Sequence, residues 1–146
     1  MRLTTFTDFG LRALMRLAGE PDRLFSTNEI ATEFGISRHH LTKVVQDLAE
    51  GGFVVTQRGT GGGFRLARSS QSITLGEIVR ALEQRHALVE CFRGDGGQCV
   101  LKPRCRLKAR LAAAREAFMR ELDATTLAEC AYPDSSGQSW PPTVEA

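Results

Sequence analysis

Residues Ser26–Ala67 read STNEIATEFGISRHHLTKVVQDLAEGGFVVTQRGTGGGFRLA, and the spacing of their apolar positions changes character twice. Ser26-Thr27-Asn28-Glu29 has the form of a capping box, in which a hydroxyl and a carboxylate satisfy free N–H groups of a first helical turn. It opens a short helix that turns Ile30, Ala31 and Phe34 inward and ends at Gly35, where a left-handed cap suits glycine. Ile36 then packs inward, Ser37 can cap, and Leu41, Val44, Val45 and Leu48 recur at i, i+3, i+4, i+7 up to Gly51-Gly52. Two short helices joined by a turn containing glycine predict a helix-turn-helix.

Another face of the second helix carries His39, Thr42, Lys43 and Gln46, again at helical spacing, with Arg38 at the N-terminal end. Each of these side chains can hydrogen-bond a base edge or a phosphate. Phe53–Gln57 and Phe64–Ala67 then read as two strands around Arg58-Gly59-Thr60-Gly61-Gly62-Gly63, a hairpin with a flexible tip. Glycines beside Arg58 and Thr60 let the backbone come close to DNA, as the wing of a winged helix-turn-helix does. A phosphate-binding loop is a poor reading of this run, because such a loop leads from a strand into a helix and this one leads into a strand. From Phe34 to Arg68, five cations (Arg38, Lys43, Arg58, Arg65, Arg68) stand against Asp47 and Glu50, an asymmetry that the whole-chain charge of +2 conceals.

Upstream, Leu11, Leu14, Met15 and Ala18 form a helical stripe, with Thr7 as N-cap, Asp8 in the first turn where an acid suits the helix dipole, and Gly19-Glu20-Pro21 as the stop. Downstream, Thr74-Leu75-Gly76-Glu77 is a second capping box, and its helix through Ile78, Val79 and Leu82 is expected to close the core over the wing. Pro103 suits a helix N-terminus, after which Leu107, Leu111, Ala114, Phe118 and Leu122 form a stripe too long for one small domain to cover. That stripe predicts a partner surface. The fold class expected is therefore mainly α: a winged helix-turn-helix domain over 1–86, a loop over 87–104, a long dimerisation helix region over 105–130 and a disordered tail over 131–146. No internal repeat is visible.

The 146 residues, 42% hydrophobic and 25% charged, suit one ordinary domain with an appendage. The opening residues lack the apolar run of a secretory signal, and no segment approaches transmembrane length, so a cytoplasmic setting is expected. In that reducing compartment clustered cysteines read as metal ligands or redox groups before disulfides. Cys91, Cys99 and Cys105 are separated by seven and five residues, unlike the C-x2-C or C-x4-C of zinc sites, and Arg93-Gly94-Asp95-Gly96-Gly97 makes a wide loop. Thiolates hold iron-sulfur clusters over irregular spacings, and Lys102, Arg104, Arg106 and Lys108 would offset cluster charge. Zinc and redox thiols stay open on spacing alone, as does the fourth ligand, for which Cys130, His86, Glu90 and Asp95 are candidates. Ser37, His39 and His40 lack a convergent acid or oxyanion site, so no enzyme is expected.

With Met1-Arg2-Leu3-Thr4 at its start, Arg58-Gly59-Thr60-Gly61-Gly62-Gly63-Phe64-Arg65-Leu66 in the hairpin and three spaced cysteines before a long helix, the chain resembles the Rrf family of winged-helix iron-sulfur transcription regulators over residues 1 to 130. Phe6-Thr7-Asp8-Phe9-Gly10-Leu11-Arg12-Ala13-Leu14 and Cys105-Arg106-Leu107-Lys108 look most like its nitric-oxide-sensing repressors. A sister branch places a ligating histidine where this chain has Lys108.

The resemblance implies a homodimer in which Cys91, Cys99 and Cys105 of one subunit bind a 4Fe-4S cluster, with 2Fe-2S as the alternative since the first cysteine gap exceeds the family's usual five residues. It also implies that Asp8 of the other subunit supplies the fourth ligand. Expected partners are a palindromic double-stranded DNA operator and nitric oxide as signal, with cluster nitrosylation releasing the repressor from nitric-oxide detoxification genes. An iron- or cluster-status-responsive regulator is the alternative within the family. An electron carrier is a different class, and the base-reading helix face argues against it.

Overall fold

The computed structural model describes residues 2–133. Its first helix, α1, spans Thr5–Gly19 and is capped by Thr4, whose hydroxyl accepts the Thr7 N–H at 3.2 Å. Thr7 is instead fully buried inside the first turn. The helix starts earlier than the stripe suggested because Phe6 and Phe9 already pack against the core. Helix α2 covers Thr27–Phe34, with Ser26 accepting the Glu29 N–H at 3.1 Å and Gly35 left-handed at φ 63°. Only half of the expected capping box forms, since the Glu29 carboxylate pairs with Arg23. Helix α3 runs Arg38–Glu50 with Leu41, Val44, Val45 and Leu48 buried, and Ser37 precedes it without a side-chain cap bond.

The hairpin consists of β1, Val54–Gln57, paired antiparallel with β2, Gly63–Leu66, in the register Val54↔Leu66 to Gln57↔Gly63. Two backbone bonds between Phe25 and Phe64, at 3.0 and 2.8 Å, stitch the hairpin to the segment before α2. Both phenylalanine side chains are fully buried. The wing is thereby anchored to the helical core at its root while its tip stays exposed.

Helix α4, Leu75–Glu83, forms its complete capping box through Thr74 and Glu77. Its buried Ile78, Val79 and Leu82 face chiefly α1 and helix α5, Arg106–Asp123, so α4 backs the first helix and does not roof the wing. Pro103 does not begin α5; it lies in a separate 3-10 turn over Lys102–Arg104, and Cys105 stands at the helix N-cap. At its far end α5 is tied to α4 by a bidentate Arg80–Asp123 pair, both contacts at 2.6 Å. Of its residues only Met119 is fully buried, while Leu111, Phe118 and Leu122 are half-buried and Leu107 and Ala114 exposed.

Past α5 the chain turns back over the core. Leu127, fully buried, donates its N–H to Ile73 at 2.8 Å, and Leu75 donates to Thr125 at 3.0 Å. Tyr132, which the sequence reading gave to the tail, bonds Met15 through its backbone. The rest of the expected tail, 134–146, lies outside the described residues.

Candidate nucleic-acid interface and thiol loop

One face of α3 is sealed into the core, which leaves Arg38, His39, Thr42, Lys43 and Gln46 together on its exposed side. Thr42 donates its hydroxyl proton to the Arg38 carbonyl at 2.8 Å and keeps an oxygen free to accept. The other four make no side-chain hydrogen bond or ion pair among the described residues. Arg58 and Thr60 are exposed in the wing tip. Arg68 is committed elsewhere: it bonds the Ser72 carbonyl and Glu77 and stacks over the Phe53 ring at 5.7 Å. Four of the five cations of this region are therefore available to an anionic surface such as a phosphate backbone.

The cysteine loop is built from short turns. Cys91 lies in a 3-10 turn over Glu90–Phe92, Cys99 follows the glycines, and Cys105 stands at the N-cap position of α5 without a side-chain cap bond. Glu90 accepts the Gln98 N–H at 2.8 Å, Asp95 accepts the Gly97 N–H at 2.9 Å, and Lys102 donates to the Gly96 carbonyl at 2.6 Å. Gly97 adopts φ 59° against the Glu90 backbone, where a Cβ would collide. All four cysteines are free and half-buried.

In donor chemistry this loop fits a thiolate-bound group, since it offers three soft ligands beside Lys102, Arg104, Arg106 and Lys108. In the single chain the donors do not converge. Among the described residues no three His, Cys, Asp or Glu side chains stand close enough to hold a metal ion. Asp8 is turned to Arg12, an i,i+4 pair at 2.7 Å with both side chains half-exposed. Cys130 sits in the returning segment packed on α1, its thiol pushed up by burial and by Glu129.

Sequence reasoning missed Glu83, the last residue of α4. One of its oxygens accepts the Thr7 hydroxyl at 2.6 Å, the Thr4 N–H at 2.7 Å and the Thr4 hydroxyl at 2.8 Å. Burial works to raise its pKa, and the bonds from Thr7 and Thr4 outweigh it, so the carboxyl lies below the usual range. This knot joins the turn that carries Asp8 to the point where the chain departs for the thiol loop. Nothing local in the sequence signals it, because the partners are 76 and 79 residues apart.

A helix-turn-helix with an anchored wing and an open polar recognition face defines a winged-helix protein of the transcription-regulator class. The family description "Rrf2: Iron-dependent Transcriptional regulator" matches residues 3–132. Two relatives are HTH-type transcriptional regulators NsrR, from Geobacillus kaustophilus at 47% identity over 88% of both chains and from Halalkalibacterium halodurans at 43% over 87% of this chain and 88% of the relative. Among solved structures, CymR, the global cysteine regulator of B. subtilis, superposes with a TM-score of 0.70 at 31% identity, covering 87% of this chain and 93% of its own. IscR of T. potens does so with a TM-score of 0.68 at 25% identity, covering 88% and 85%. The chain belongs to the Rrf2 family of transcriptional regulators. Among the described residues no helix is long and apolar enough to cross a membrane.

Proposed function

We propose that this chain is a cytoplasmic, homodimeric repressor that reads a palindromic operator and senses nitric oxide through an iron-sulfur cluster. The observation that carries the reading is the joining of three free thiols, in one loop, to a winged helix-turn-helix through the Glu83 knot. The NsrR relatives at 43 and 47% identity support it. Arg38, His39, Thr42, Lys43 and Gln46 read the major groove, while Arg58 and Thr60 follow the backbone beside it. Cys91, Cys99 and Cys105 would hold the cluster, 4Fe-4S or 2Fe-2S, with Asp8 of the second copy as fourth ligand. When bound, such a cluster supplies an iron open to a small diffusible ligand.

The chain's own part in the switch is positional. Asp8 lies on α1, within the DNA-binding module, and the thiols lie on the loop, so ligation across the dimer would fix the pose of two recognition helices about one helical turn apart. Set free, Asp8 has Arg12 as an alternative partner, and the pose is no longer fixed. The division into 1–86, 87–104 and 105–130 follows the same reading.

The deciding experiment is an anaerobic titration with nitric oxide, following visible absorption and operator binding on the same samples. Bleaching in step with DNA release is expected; colourless protein, or unchanged DNA binding, overturns the reading. The family's iron-dependent description favours an iron- or cluster-status regulator as second reading. Release on iron chelation with indifference to nitric oxide would select it.

A further inference from the structure

We propose that Tyr132 is a positioning residue for operator binding, holding the helix-turn-helix in register with α5 through the segment that returns over α1. The segment leaves α5 just past Asp123, which Arg80 grips from α4. Thr126 and Glu129 then close a capping box, and Thr74 pairs with Thr126 in a short antiparallel bridge. From there the chain crosses the end of α1. Tyr132 donates its backbone N–H to the Met15 carbonyl at 2.9 Å. Gly19 is part of the same seat, since a Cβ there would collide with the Tyr132 carbonyl, a backbone contact that no rotamer change relieves. The Tyr132 ring lies 6.4 Å from that of Phe34 and tilted by 52°, within the range of favourable aromatic pairs.

Phe34 is the last residue of α2, directly ahead of the Gly35 turn from which α3 is hung. The returning segment thus reaches from the end of α5 to the joint that sets the recognition helix. Tyr132 is 51% exposed, so its ring adds little to the buried core. Its contacts constrain the relative position of two elements more than they stabilise either. A dimer assembled through α5 would meet two half-sites with the right spacing only if each α3 keeps its place relative to its own α5. Tyr132 makes no hydrogen bond through its hydroxyl among the described residues, so the ring and the backbone seat carry the effect.

This inference rests on the DNA-binding reading above. The probes are the duplex that the wild-type chain enriches from a random-sequence pool and a scrambled duplex of the same composition. Tyr132→Ala should lower affinity for the enriched duplex about tenfold, leave affinity for the scrambled duplex within twofold, and leave dimerisation and cluster colour unchanged. Tyr132→Phe should bind as wild type. Hydrogen exchange on the wild-type chain gives a check free of folding defects: the Tyr132 amide and the C-terminal amides of α2 should gain protection together when the enriched duplex binds. Wild-type affinity in Tyr132→Ala, equal losses on both duplexes, or no shared gain in protection overturns the proposal. Failure of the wild-type chain to enrich any duplex would remove the DNA-binding reading itself.

Discussion

Asp8 gives its carboxylate to Arg12 on the surface of α1, and both side chains are about half exposed. An exposed i,i+4 pair contributes only about 0.3 to 0.5 kcal/mol, so Asp8→Ala should leave thermal unfolding close to wild type. Any change in colour then reports ligation and not folding. We expect weaker cluster retention, read by visible absorption after anaerobic desalting; unaltered spectra together with unaltered operator affinity would remove Asp8 from the ligand set. Cys130→Ser is the complementary case. Burial and Glu129 both hold that thiol in its protonated form, and it lies in the returning segment packed on α1 and not in the thiol loop, so the serine variant should keep full colour. A colourless variant would show that the ligand set is wrong. Residue identities pointed to a thiol site and left its occupant open among cluster, zinc and redox thiols, because thiols gathered in a basic glycine loop are visible in any reading of the sequence. Their failure to converge within one chain was not visible, since spacing along a loop says nothing of where its turns place each sulfur.

Between elements, the Glu83 knot adds a polar tie to the apolar packing of α4 on α1. Glu83→Ala would leave the Thr4 N–H without its acceptor and the Thr4 and Thr7 hydroxyls with only each other, 3.0 Å apart, and an unsatisfied buried donor costs about 1 to 3 kcal/mol. Urea denaturation should show a loss of that size. The pH dependence has a definite sign: with the folded pKa depressed, the carboxylate's contribution is full above the ordinary carboxylate range and fades as pH falls through the folded value. The stability gap between wild type and Glu83→Gln should therefore narrow on acidification below about pH 4.5; a gap independent of pH would mean that the charge plays no part.

On the recognition side, Lys43→Ala or Arg58→Ala should each cost about 1 to 3 kcal/mol of operator affinity if it reads a base edge, with cluster absorption unchanged. Anisotropy titration measures it, and full affinity in both variants would exclude them from the contact set. Helices α2 and α3 were legible because their apolar spacing and their glycine stop point to one structure. Thr7 was misread as a cap because a threonine in front of a stripe has the same local signature whether it caps the helix or, as here, sits within its first turn and bonds a distant carboxylate.

At the scale of the whole molecule, α5 poses a problem that one chain does not solve. Its apolar stripe was read from the sequence, yet only Met119 is fully buried, and Leu107 remains 62% exposed. Apolar side chains left exposed or half-buried along a helix held at its far end by Arg80–Asp123 favour association with a surface that covers them. An isologous pairing of two α5 helices would cover it symmetrically and set two winged helices side by side. Leu111 is the position to test, being half-buried on the stripe and outside the packed core of the single chain. Leu111→Asp places a charge where the second helix would lie, and such a charge can be accommodated only by separating the chains. Sedimentation equilibrium at micromolar concentration should show a dimer for the wild type and a monomer for the variant, with the helical circular dichroism of both alike. Operator affinity should fall well over tenfold, because two half-sites joined in one binding event become two weak independent ones. If Leu111→Asp stays dimeric, the stripe is not the dimer seam; if it becomes monomeric yet binds the full operator as before, the recognition helices do not depend on a partner for their spacing.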